Sequence, residues 1–204
     1  MSHADIDEYF ENIAVWMTTD IHREITLARA SSTDSGKRAL ESLGVIPGGG
    51  NLLAALGLVA YTEALGLIRM WNQSHRYGSS HECFLAFFDR MNGGSYKSWR
   101  SSWEAGHAGT TLYEALRCGL VHEYRPKVDS EFWIGEGEPL GLADSSGTLV
   151  FKVEPYLRHF AGEALQLYRD LSQLANPELP PPKTQVPPRG PSSLPPTPSV
   201  SPTS

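Results

Sequence analysis

Apolar residues recur every three or four positions along most of the chain, which is the spacing of one buried helix face. This pattern predicts helices at 5–30, 37–43, 80–92 and 154–175, with Pro155 in the first turn of the last one. Clusters of serine and glycine separate several of these segments. The chain is therefore expected to fold as a mainly helical bundle.

A further segment, 52–74, is apolar on nearly all sides and predicts a central helix covered by its neighbours. Asn51 is a favourable residue to cap its start. Gly57 and Gly66 lower the stability of this helix, and we expect them to let a neighbouring helix approach closely. Glu63 is the one acid in the run, so its burial would require a partner for the carboxylate.

Alternating apolar and polar residues predict short strands at 131–135, 138–143 and 148–153. The sequence Asp-Ser-Ser-Gly at 144–147 is typical of a tight turn. We expect a small β-hairpin or meander inserted before the last helix.

Composition changes sharply after residue 176. Eleven of the fifteen prolines lie in 177–204, which contains no aromatic residue. Such a segment cannot bury a core, so we predict a disordered tail with local polyproline II after a helical domain at 1–176. PELP at 177–180 and PRGP at 188–191 match the minimal PxxP spacing, and the tail is interpreted as a solubilising segment or, alternatively, a docking motif.

Two further patterns allow both a structural and a ligand-binding interpretation. Tyr96, Trp99 and Trp103 recur at helical spacing, as core aromatics do, although such a stripe can also stack on bases. The triple glycine at 48–50 precedes a helix start, where phosphates bind. It lacks the Lys-Ser/Thr of a P-loop, so a flexible connection is the better interpretation.

The net charge of −6 argues against a general polyanion binder. Residues 90–127 depart from this balance, with six basic and three acidic residues. A phosphate-bearing ligand would suit this local excess, and chance clustering on a solvated helix face explains it equally well.

Cys83 and Cys118 are the two cysteines, and neither belongs to a CxxC pair or a metal-ligand spacing. We expect two reduced thiols in a cytoplasmic protein, with no metal and no cofactor. The first residues are acidic and lack an apolar stretch, so no signal peptide is expected. The longest apolar run, 52–61, is too short to span a bilayer, and we expect no membrane association.

The helix predicted at 110–126 contains an arginine and a histidine five positions apart, Arg117 and His122. In an α-helix these positions lie about 140° apart around the axis. They would flank the apolar stripe formed by Leu112, Leu116, Gly119 and Leu120. Glu114 and Cys118 lie on the arc between them, away from the core. We expect this open surface to become a closed site when a second copy or another helix packs across it.

Histidine transfers protons near neutral pH, and arginine grips phosphate through parallel donors. Arg117 and His122 together therefore suit RNA cleavage without a metal. The histidine would deprotonate the ribose 2′-OH or protonate the leaving 5′-oxygen, and the arginine would stabilise the pentavalent phosphorane. The alternative is structural, with Arg117 paired to Glu114 and His122 placed at the negative end of the helix dipole.

The string LYEALRCGLVHEYRP at 112–126 resembles the signature helix of the HEPN superfamily, in which an arginine is followed by four to six residues and a histidine. AYTEALGL at 60–67 and FLAFFDRM at 84–91 resemble further segments of bacterial members. The likeness covers about residues 50–175.

This resemblance implies a helical bundle that commonly forms a homodimer and brings two Arg–His motifs into one cleft. Many HEPN proteins are metal-independent RNases in toxin–antitoxin, abortive-infection and CRISPR-associated systems, and others are non-catalytic binding or scaffold modules. By resemblance Arg117 and His122 are catalytic, and the accessory candidates are Glu63, Glu114, Cys118 and Tyr124. Cys118 stands where the active RNases usually carry Asn, Asp or His. The implied partners are RNA, a second copy, and an antitoxin or a protein that docks on the tail.

Overall fold

The computed structural model describes residues 3–123, 127–135 and 139–181. Within these ranges the elements are, in chain order, α1 (His3–Ser31), α2 (Asp34–Ser42), α3 (Gly50–Ser74), α4 (Ser80–Phe88), a turn at Met91–Gly94, α5 (Ser95–Gly106), a π-helix (Glu114–Glu123), β1 (Ser130–Trp133), β2 (Leu142–Ser145), β3 (Thr148–Lys152) and α6 (Val153–Ser172). The prediction of a mainly helical protein with a small sheet before the last helix is confirmed.

Helix α3 lies at the centre of the bundle, in contact with α1, α4, α6, the π-helix and β1. Its Leu58 and Leu65 side chains are fully buried, as expected for a central helix. The predicted close approach is confirmed at Gly66, where an added Cβ would lie 1.7 Å from the carbonyl oxygen of Cys83 on α4. A glycine at this position therefore sets the distance between α3 and α4.

Asn51 is not the cap that was predicted for this helix. Helix α3 begins at Gly50, and the preceding Gly49 has a left-handed φ of 78°. The Asn51 side chain instead donates from Nδ2 to the carbonyl oxygen of Phe132, at 2.6 Å. A helix can start on glycine, which leaves the Asn51 amide to satisfy a strand carbonyl and so join the start of α3 to β1.

Helix α4 begins as predicted and ends earlier than predicted. The Ser79 hydroxyl accepts a hydrogen bond from the backbone of Glu82, whose carboxylate accepts one from the backbone of Ser79. This capping box fixes the helix start. The helix ends at Phe88 rather than at residue 92, because Asn92 and Gly93 have left-handed φ values of 49° and 64° that turn the chain into α5.

The aromatic stripe on α5 belongs to the core, which confirms its structural interpretation. Tyr96 and Trp103 are buried, and Trp99 stacks on Trp103 with ring centroids 6.4 Å apart. The hydroxyl of Tyr96 accepts a hydrogen bond from the backbone N–H of Gly141 at 2.9 Å. The stripe thereby also positions the segment that leads into β2.

The sheet contains the predicted hairpin in a different strand order. β2 and β3 are antiparallel and are joined by Ser146 and Gly147, whose φ values are 55° and 88°. Positive φ at both positions is typical of the type I′ turn that suits a tight hairpin. The meander interpretation is wrong, because the order is β1-β3-β2 and β1 pairs with β3 in parallel.

The first five residues assigned to the tail pack on the domain. Pro177 is buried, and Glu178, Leu179 and Pro180 are half-buried. The boundary predicted at 176 is therefore wrong, and the packed domain continues to residue 181. The predicted disorder of 182–204 lies outside the described residues.

Among the described helices, α3 is long and apolar enough to cross a membrane by length and composition. The run 52–61 is too short on its own, whereas the complete helix has 25 residues. The central helix of a globular bundle meets the same criterion. The absence of membrane association stays a prediction.

Replacing Gly66 by alanine should destabilise the fold, because the new Cβ would lie 1.7 Å from the Cys83 carbonyl oxygen and push α3 away from α4. Overpacking of this kind costs about 1–3 kcal/mol or more. Gly162→Ala on α6 is the matched control, since a Cβ there meets nothing within 4 Å. It should raise the free energy of unfolding by about 0.5–1 kcal/mol. Urea denaturation measures both changes, and equal stability of the two variants would contradict the close approach.

Candidate functional site

Arg117 of the π-helix forms an ion pair with Glu63 of α3. The Arg117 Nε donates to Glu63 Oε2 at 2.5 Å, and the two side chains are only 18% and 17% exposed. The expectation that Glu63 needs a partner is confirmed, and this acid does lie on a helix that faces the motif. The alternative pairing of Arg117 with Glu114 is wrong.

Glu114 begins the motif segment instead of lining a site. Its carboxylate accepts hydrogen bonds from the backbone N–H and the hydroxyl of Thr111, at 3.0 and 2.9 Å. The Glu114 backbone donates in return to the Thr111 hydroxyl. These bonds hold the pKa of Glu114 below its usual value, the backbone hydrogen bond contributing most. Thr111 is thus confirmed as a start residue, and Glu114 is exposed and engaged in capping.

The motif segment is a π-helix from Glu114 to Glu123 rather than the expected α-helix. With i→i+5 hydrogen bonds a turn contains more residues than in an α-helix, so positions five apart lie much closer together around the axis. Positions 117 and 122 therefore lie on the same side of the helix, and the expected separation of about 140°, which holds for an α-helix, is wrong. The side chain of His122 and the whole of Tyr124 lie outside the described residues.

Two residues near Arg117 were missed from sequence, Tyr113 and Ser80. Tyr113 is buried and its hydroxyl is hydrogen bonded to the side chain of Ser80 at the start of α4. Burial raises the pKa of Tyr113 above 10, and the negative charge of Glu63 raises it further, so the phenol remains neutral at neutral pH. Tyr113 precedes Arg117 by four residues, which is the signal that could have identified it.

A small cavity of about 160 Å³ opens at this ion pair. Its polar lining includes the guanidinium of Arg117, the carboxylate of Glu63 and the hydroxyl-bearing Ser80, and its remaining lining residues are Ala60, Ala64, Leu67, Gly78 and Cys83. Most of this lining is apolar, and the space is large enough for one small chemical group. Cys118 is half-buried against the core and is absent from this lining.

His81 is a further histidine close to the motif. Its ring lies on that of Tyr113, with centroids 5.0 Å apart and an interplanar angle of 33°. Its Nε2 atom is buried and has no hydrogen-bond partner among the described residues. An unsatisfied buried nitrogen beside Ser80 and Tyr113 adds a second titratable group to this part of the molecule.

The described residues contain no group of three or more histidine, cysteine, aspartate or glutamate side chains placed to hold a metal ion. The two cysteines are both free thiols. Comparison with protein-family models, with curated proteins and with solved structures gives no match. A functional hypothesis therefore depends on the chemistry of the Glu63–Arg117 pair and its cavity.

The Glu63–Arg117 pair should show strong energetic coupling because both groups are largely removed from water. A double-mutant cycle with Glu63→Gln and Arg117→Met should give a coupling free energy of about 1–3 kcal/mol in urea denaturation. The exposed pair Asp20–Arg23, with side chains 47% and 61% exposed, is the matched control. Its cycle should give less than about 0.5 kcal/mol, and equal coupling in the two cycles would contradict a special role for burial.

Proposed function

We propose that this protein is a HEPN-like, metal-independent endoribonuclease, in which Arg117 binds the scissile phosphate and His122 transfers the proton. The observation that carries the proposal is the placement of Arg117. Its guanidinium is oriented by Glu63 and lines a small, mostly apolar cavity, about one π-helical turn before the position of His122. Placement of positions 117 and 122 on one side of the helix favours joint action on one phosphate.

In this mechanism His122 removes the proton of a ribose 2′-OH, and the 2′-oxygen attacks the adjacent phosphorus. The bond from phosphorus to the 5′-oxygen breaks, and that oxygen takes a proton to leave as a hydroxyl. The products are a 2′,3′-cyclic phosphate and a 5′-OH end. Arg117 stabilises the charge of the pentavalent phosphorane. A guanidinium carries five donor hydrogens, so contact with Glu63 through Nε is compatible with phosphate recognition by the same group.

Glu63 would be a positioning residue for Arg117, because it fixes the plane of the Arg117 guanidinium before the substrate binds. Tyr113 and Ser80 would contribute neutral hydroxyl groups near the same cavity. We further propose a homodimer, in which a second copy covers the open side of the motif, and a bacterial defence or toxin–antitoxin role with an antitoxin as the regulating partner. These last elements derive from the resemblance to HEPN proteins.

A non-catalytic HEPN binding or scaffold protein is the second candidate. The neutralising contact of Glu63 with Arg117 favours it, since a carboxylate reduces the attraction of the guanidinium for phosphate. Cys118, directly after the arginine, is consistent with the same function. Such a protein would bind RNA or a protein without cleaving RNA.

RNA cleavage in the presence of EDTA distinguishes the two candidates. The wild-type chain should release 2′,3′-cyclic phosphate ends, and His122→Ala should lower the rate by about 10²–10⁴-fold, the usual contribution of a proton-transfer group. Arg117→Ala should cost about 10²–10³-fold. The exposed residues His22 and Arg38 provide matched alanine controls that should retain full activity.

Equal cleavage by the wild type and His122→Ala would refute the catalytic proposal. Binding of RNA that Arg117→Ala weakens, without cleavage by the wild type, would support the second candidate instead.

The homodimer is tested independently by light scattering at micromolar concentration. A dimer should have twice the chain mass of 22.4 kDa. If one site takes its arginine from one copy and its histidine from the other, mixing the inactive Arg117→Ala and His122→Ala proteins should restore part of the activity. A monomer that is fully active at low concentration would contradict the composite site.

A further inference from the structure

The end of α3 holds the segment Pro177–Pro181 through the side chain of Asn72. Asn72 Nδ2 donates to the carbonyl oxygen of Glu178 at 2.7 Å, and its Oδ1 accepts from the Glu178 N–H at 2.9 Å. The amide thus satisfies both backbone groups of one residue, as a neighbouring strand would. These two bonds depend on the backbone conformation of the segment and not on the identity of its side chain.

Aromatic residues form the rest of this contact. Trp71 donates from Nε1 to Glu178 Oε2 at 3.2 Å, and the hydroxyl of Tyr77 donates to the carbonyl oxygen of Pro181. The Trp71 and Tyr77 rings lie against one another, with centroids 5.1 Å apart. Pro177 is buried, and Glu178, Leu179 and Pro180 are half-buried, so the segment occupies a groove rather than a flat surface.

This arrangement has the chemistry by which folded domains recognise proline-rich peptides. Polyproline segments bind in aromatic-lined grooves whose side-chain donors reach the ligand's carbonyl oxygens, and they lose little conformational entropy because they are already extended. Here the groove also recognises the acid of the P-E-L-P sequence. His75 Nδ1 lies 3.6 Å from the Glu178 carboxylate, on the same side as Trp71 Nε1.

The bound segment is joined to α6 by a connection that makes release feasible. Every residue from 172 to 176 is exposed, so residues 177–181 can leave the groove without disturbing the buried face of α6. The chain continues for 23 residues beyond 181. The groove also adjoins the candidate site. Tyr77 directly precedes Gly78, and both Gly78 and the nearby Ser80 line the cavity.

We propose that Trp71, Asn72 and Tyr77 form a binding site for proline-rich peptides with an acidic residue after the first proline, and that the chain fills this site with its own residues 177–181. The ligand in trans is a P-E-L-P-P-type segment of a partner protein. This assignment is independent of the proposed nuclease activity, because it uses none of the residues of the Arg–His motif.

The full-length chain carrying Leu179→Asp tests the proposal, because this change weakens the contact of the tethered segment with the core and leaves the groove residues unchanged. The probe is a fluorescent peptide with the sequence of residues 176–181, titrated by fluorescence anisotropy. The wild type should bind it weakly, because the tethered segment competes at an effective concentration of roughly millimolar. Leu179→Asp should bind at least about 10-fold more tightly, since that competition is reduced.

Variants of the groove and of the peptide provide the controls. Adding Asn72→Ala to the Leu179→Asp chain should weaken peptide binding by at least about 10-fold, since both backbone hydrogen bonds are lost. Tyr77→Phe, which removes the hydroxyl alone, should weaken it by a smaller factor. A peptide in which the glutamate is replaced by lysine should bind more weakly to the unmodified groove.

Amide exchange at Glu178 provides the second measurement. In the wild type this N–H donates to Asn72 and should exchange slowly, and excess unlabelled peptide should accelerate its exchange by displacing the segment. No acceleration at peptide concentrations well above millimolar would overturn the proposal. A folded Leu179→Asp chain with rapid Glu178 exchange and no peptide binding would overturn it as well. If Leu179→Asp unfolds the chain, or leaves the Glu178 N–H protected from exchange, the proposal is decided by the wild-type measurement, in which free peptide competes with the tethered segment.

Discussion

Burial of helix α3 is the constraint on which the rest of the structure depends. A helix that is covered by neighbours on most sides must find a hydrogen-bond partner for each polar side chain, because an unpaired buried group costs free energy. The Thr62 hydroxyl meets Tyr156 of α6 at 2.9 Å. Glu63 meets Arg117 of the π-helix, and Asn72 meets the C-terminal segment. Successive polar residues of one helix thus fix three different parts of the fold.

A further buried contact of this helix joins Arg69 of α3 to Glu163 of α6, whose side chains are 5% and 8% exposed. Burial lowers the pKa of the Arg69 guanidinium and raises that of the Glu163 carboxyl, while the charge of each opposes the shift of the other. Arg90 and Asp170 extend the pair towards the surface. Removing one member would leave a buried charge without its partner, which is strongly destabilising.

Sequence periodicity was sufficient for the parts of the fold that follow local rules. The order and approximate positions of most helices, the serine at the start of α4 and the hairpin turn at Ser146-Gly147 all follow from spacing and from residue preferences. Contacts between distant segments do not follow in this way. The pairing of β1 with β3 and the bond from Asn51 to Phe132 depend on where the elements meet, and composition alone placed Pro177 in the tail although Asn72 and Trp71 bind the segment that it begins.

Of the predicted site residues, the structure brings Arg117 and Glu63 together at one cavity, whereas the backbone geometry of the motif was not predicted. The apolar pattern indicated a helix around Arg117, but the same pattern does not encode whether each N–H bonds to the fourth or the fifth preceding carbonyl. A π-helix is the less common choice and is often found at functional sites. The π-helix carries Arg117, the cation that pairs with the Glu63 carboxylate of α3.

The same ion pair therefore connects folding with the proposed function. Neutralising Glu63 is a requirement of the core, and it fixes the guanidinium beside the cavity that the proposed chemistry uses. The unusual helix type and this tertiary contact occur in the same segment, and departures from local preference concentrate where a protein binds or reacts. On this argument the unusual backbone between Glu114 and Glu123 is the strongest reason to look for function at Arg117 rather than elsewhere in the described chain.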